Sequence, residues 1–73
     1  MSKAVKQRFI ELLEQEAAQQ RELAQAWRDI QRQGGGDLRD KDNQVIATAE
    51  EMVQRCIAKE QELRAFSEQV KAL

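Results

Sequence analysis

A chain of 73 residues with a net charge of −1 has room for one small domain. A core of that size gives no more than ~3–5 kcal/mol without a staple. One cysteine and no histidine exclude an internal disulfide and leave no ligand set for structural zinc. Association with a second chain is the remaining source of stability. Acidic and basic residues are interspersed, which argues against a protein that coats nucleic acid. Apolar runs are two or three residues long, so no membrane span is expected.

The first element predicted is a helix over about residues 3–33. Ala, Glu, Gln, Lys, Arg and Leu dominate it, and it contains neither Gly nor Pro. Val5, Phe9, Leu12, Leu13, Leu23, Ala24, Trp27 and Ile30 recur at spacings of three and four and mark one face. Ile10, Leu13, Ala17 and Ala24 form a second stripe beside it.

All three glycines of the chain then stand together as Gly34-Gly35-Gly36, which no helix interior tolerates well. They predict a turn, with Gly34 in the left-handed conformation that ends a helix. Asp37 is expected to cap a second helix over about residues 38–72. A start near Asn43 is the alternative, and would leave Asp37–Asp42 in an acidic loop. On this second helix Leu38, Val45, Ala49, Met52, Cys56, Leu63, Phe66, Val70 and Leu73 follow a heptad seam broken at Asp42 and Lys59.

Two long helices joined by a short turn form an antiparallel hairpin, so the fold class is all-α. In that register Phe9 lies near Leu63, and Glu16 and Lys59 fall at nearly one height with opposite charges. A pair of this kind specifies register more than it adds stability. The apolar stripes are wider than one hairpin needs, which predicts dimerisation into a four-helix bundle or coiled-coil assembly.

Catalysis finds no foothold. No phosphate-binding glycine pattern is present, and the paired glutamates belong to solvated helix surface. Cys56, on the seam, reads as a small buried hydrophobe, and a lone thiol fits a reducing, cytoplasmic setting. No enzyme, cofactor, metal site or small-molecule substrate is expected. The expected function is a protein–protein interaction module acting as a small regulator, inhibitor or adaptor. Its partner is itself, another protein, or both. The contact is expected at Ile46, Val53 and Ile57 on helix two, with Ile10, Leu13 and Trp27 on helix one. The competing readings are an RNA- or DNA-binding hairpin using Lys3, Lys6, Arg8, Arg21, Arg28 and Arg32, and a structural subunit of a larger coiled-coil assembly.

Overall fold

In the computed structural model, which describes residues 2–73, the helix α1 spans Lys3–Arg32 and the helix α2 spans Ala49–Lys71. The two pack against each other as a hairpin 50 Å long. Between them lies a two-stranded antiparallel ribbon, β1 at Leu38–Arg39 and β2 at Val45–Ala47.

Each helix has the local signals its ends require. The Ser2 hydroxyl accepts a hydrogen bond from the Val5 amide at 3.2 Å and caps α1. At the other end the Gly34 amide donates to the Gln31 carbonyl and the Gly35 amide to the Ile30 carbonyl, at 3.0 and 3.2 Å. Gly34 has φ +83°. This is the paired-bond termination that a left-handed glycine permits, and it stops the helix where the glycines begin.

The second helix starts eleven residues later than its leading expectation, at Ala49 rather than 38, and later also than Asn43. Two local preferences outweigh helix propensity here. Asp40 builds a turn: its Oδ1 accepts from the amides of Asp42 and Gln44 at 2.9 and 3.0 Å. Asn43, one of the few residue types that tolerate it, takes φ +64°. The β-branched pair Val45-Ile46 then runs extended. Thr48 caps α2 through a 3.1 Å bond from the Glu51 amide, and Glu50 and Glu51 sit in the positive first turn. Leu38 and Val45 therefore lie on the ribbon and not on a helical seam.

The core is a heptad seam. On α1 the buried residues are Ile10, Ala17 and Ala24, spaced by seven, with Lys6, Leu13, Gln20 and Trp27 half-buried between them. On α2 the buried residues are Ala49, Val53, Cys56, Ser67 and Val70, with Glu60 and Leu63 half-buried in line. Spacings alternating between three and four on both helices are the signature of knobs-into-holes packing. Phe9 against Phe66 and Glu14 against Lys71 set the register. It brings Ala24 opposite Cys56, and Trp27 opposite Val53. Ala17, Ala24, Ala49, Cys56 and Ser67 recur in this seam among larger residues such as Leu13, Trp27 and Leu63, small side chains that favour close helix packing.

Candidate interaction face

The seam leaves both phenylalanines and several large aliphatic side chains outside it. Val5, Phe9, Leu12, Leu23 and Ile30 of α1 are each at least 40% exposed, as is Phe66 of α2. Heptad geometry explains their common side. Phe9, Leu23 and Ile30, spaced by multiples of seven, stand one step off the seam. Val5 and Leu12 stand one step further in the same direction. On α2 the matching row is Met52, Lys59 and Phe66. In an antiparallel pair these two rows border the same flank, and the Phe9 and Phe66 rings meet there at 6.0 Å. The result is an apolar flank running along the hairpin. Shallow hollows open on it beside Val5, Phe9 and Leu12 on α1, and beside Leu63 and Phe66 on α2.

One layer interrupts the flank. Glu16 lies one heptad from Phe9 and Lys59 one heptad from Phe66, so both border this flank one heptad in from the ring contact. They do not pair with each other within the hairpin. The Gln20 amide donates to Glu16 Oε1 at 3.4 Å, and Lys59 Nζ sits 3.9 Å from Glu62 Oε2.

The opposite flank is polar. Glu14 Oε1 and Lys71 Nζ lie 3.1 Å apart across the helices, and Gln31 donates to Glu50 at 3.4 Å. Hydrogen bonds from Gln54 and then Gln31 hold the Glu50 carboxyl below its ordinary range. Bonds to Glu14 and then Glu68 raise the Lys71 ammonium above its own. Arg21 and Arg28 belong to this flank and Arg32 lies beside it. Lys3, Lys6 and Arg8 fall elsewhere on the wheel, so the six basic residues do not share one face. Arg8 and Arg32 are also paired with Glu11 and Asp29.

The six residues expected to meet a partner are not brought together. Val53 and Ile10 are buried between the helices, 2% and 6% exposed. Leu13 and Trp27 are half-buried in the same seam, and Ile57 is half-buried on the polar flank. Only Ile46, on the ribbon, is freely exposed, at 62%. The stripes read from the sequence are divided differently: Ala49, Cys56, Leu63 and Val70 of the expected seam do close the hairpin, but Ile10, Ala17 and Val53 of the second stripes join them there, while Phe9, Leu23 and Phe66 face outward. The signal that separates them is size. Alanine, cysteine and serine carry little hydrophobic weight, yet Ala17, Ala24, Ala49, Cys56 and Ser67 are the residues buried between the helices together with Ile10, Val53 and Val70.

Among the described residues no cluster of acidic residues and cysteine is arranged to hold a metal ion, and no helix is long and apolar enough to cross a membrane. No protein-family model, curated protein or solved structure matches the chain.

Proposed function

We propose that the protein is a non-enzymatic interaction module, a small regulator or adaptor that binds through the apolar flank of its hairpin. The observation that carries this reading is one-sidedness. Phe9, Leu12, Leu23, Ile30 and Phe66 are all more than a third exposed on one flank, while the other is laced with charge. Single exposed apolar side chains are ordinary, but several large ones on one flank, broken by a single charged layer, mark a contact surface. Covering what is still exposed of a Leu or Phe in this row, 40–46% of the residue, contributes roughly half of the ~1.5–3 kcal/mol of complete burial. A helix face, from a second copy or a foreign chain, is the shape that fits such a row.

Crosslinking in the native cell tests it with two variants. Leu23→Lys, on the apolar flank, should remove the crosslinked species. Arg28→Glu, on the polar flank, should leave them. The reverse pattern would move the contact to the polar flank that carries Arg21 and Arg28, and favour the nucleic-acid reading. Equal yields from both would overturn the apolar flank as the contact.

A further inference from the structure

The apolar flank has an internal symmetry that a foreign partner would not require. Its layers pair similar bulk or opposite charge across the two helices: Phe9 beside Phe66, then Glu16 and Lys59, then Leu23 and Met52, along the two flank rows. Each step is one heptad on both helices, so the layers are evenly spaced. Exchanging α1 for α2 within each layer therefore puts Phe on Phe and Leu on Met, side chains of similar bulk. At the middle layer it puts Glu on Lys.

That exchange is the operation of a two-fold axis lying in the flank and parallel to the helices. We propose that two copies pair flank to flank about such an axis, with both loops at the same end. The register is set by a four-residue layer of Glu16 and Lys59 from each copy. This rests on the interaction reading above and names its partner as a second copy of the chain.

Charge decides between the ways two flanks can meet. With the loops at one end, Glu16 of each copy faces Lys59 of the other, and signs alternate around the layer. With the loops at opposite ends, the axis runs across the flank and places Glu16 on Glu16 and Lys59 on Lys59. Like charges brought together in a contact that excludes water oppose association strongly, and they select orientation more than they add affinity. Within one hairpin both charges are only loosely held, at 3.4 and 3.9 Å from residues of their own helices. The side chain of Lys59 is half exposed and Glu16 is exposed, so each is available to a partner. A foreign helix would need one charge of each sign at that height. A second copy supplies both.

Sedimentation equilibrium and a pair of labels test the proposal. Glu16→Lys alone and Lys59→Glu alone should each weaken self-association by roughly tenfold or more. Mixing the two variants should restore it, because one then presents two cations to the other's two anions. Circular dichroism on each variant at dilution checks that the hairpin itself persists. Orientation is read from spin labels on Asp40→Cys in a Cys56→Ala background. Loops at one end place the labels within about 30 Å, since packed helices stand ~8–10 Å apart. Loops at opposite ends separate them by about the 50 Å length of the hairpin. The long distance, or self-association unmoved by the charge variants and their mixture, overturns the proposal. So does a monomer at every concentration. A monomer whose crosslinks in the cell still vanish with Leu23→Lys would leave the interaction reading standing with a different partner, so the two failures are distinguishable.

Discussion

Phe9 and Phe66 meet edge to face, their ring centroids 6.0 Å apart and their planes at 66°. This is the favoured geometry for two quadrupoles, and it ties the start of α1 to the last turns of α2 where helices otherwise fray. Both side chains remain more than a third exposed. Truncating either alone should therefore cost less than the ~3–5 kcal/mol of a fully buried phenylalanine. The coupling between them should be about 0.5–1.5 kcal/mol in a double-mutant cycle of Phe9→Ala and Phe66→Ala. Urea unfolding of the four proteins at one low concentration measures it. Strict additivity would mean that the rings touch without contributing.

The same contact shows which parts of the architecture can be read from the chain. The glycines predict the break after α1, and the three-and-four spacing predicts two packed helices. The pairing of Phe9 with Phe66 departs from the expected Phe9–Leu63 by less than one turn. The ribbon was not legible from helix propensity, because the residues that make it act locally. Asp40 and Asn43 shape a turn, Val45 and Ile46 prefer extended backbone, and Thr48 three residues before Glu51 caps a helix. Read as turn chemistry, those positions place the start of α2. The face of each helix was the harder inference. Hydrophobicity alone ranks Phe66 above Ser67, and the heptad read through Ala49 and Cys56 takes in Met52 and passes over Val53. The packing of two backbones at close range reverses both choices.

Ser67 carries a cost of that reversal. It is 2% exposed, and its hydroxyl oxygen has no hydrogen-bond partner. A buried hydroxyl without a partner costs about 1–3 kcal/mol, and alanine is the better helix former. Ser67→Ala should raise the unfolding free energy by about 1 kcal/mol or more. Chemical denaturation decides this, and a loss of stability would show that the hydroxyl bonds to something in solution.

Lys71 links the open end of the hairpin to pH. Hydrogen bonds to Glu14 and then Glu68 raise its pKa above the ordinary lysine range. A raised cationic pKa means that the folded state holds the proton more tightly than the unfolded chain does. The contribution is complete below the unfolded lysine's pKa, and it disappears as pH rises through the folded value. Glu50 works in the other direction. Its lowered pKa gives a contribution present above the ordinary glutamate range and lost as pH falls through the folded value. Both groups are solvent-exposed, so each effect is small and screened by salt. Glu14→Gln should flatten the alkaline limb of the stability profile. Gln54→Ala should shift the acid limb toward higher pH. Thermal melts across the two ranges at low ionic strength measure both, and an unchanged alkaline limb in Glu14→Gln would show that the cross-helix pair contributes nothing.

The three glycines of the turn should respond unequally to alanine, because only two are held at positive φ and only one is crowded. Gly34 has φ +83° and nothing within 4 Å of where a Cβ would stand. Alanine there meets only the backbone penalty of the left-handed region, about 1–2 kcal/mol. Gly36 has φ +118°, and a Cβ would lie 2.7 Å from the Ala49 Cβ and 3.2 Å from the Ile30 Cγ2. Alanine at this position meets a backbone penalty and a clash with the first residue of α2. Relief requires the loop to move off the helix end, so the loss should exceed that at Gly34. At Gly35 the nearest atom to an added Cβ is the Ile30 Cγ2 at 3.7 Å, an ordinary contact. Alanine there restricts the unfolded chain without straining the folded one, so stability should stay level or rise by about 0.4–1 kcal/mol. The predicted order of stability is Gly35→Ala first, Gly34→Ala second and Gly36→Ala last, read from urea midpoints of the three variants. A Gly36→Ala protein as stable as Gly34→Ala would show that the loop does not rest on Ala49.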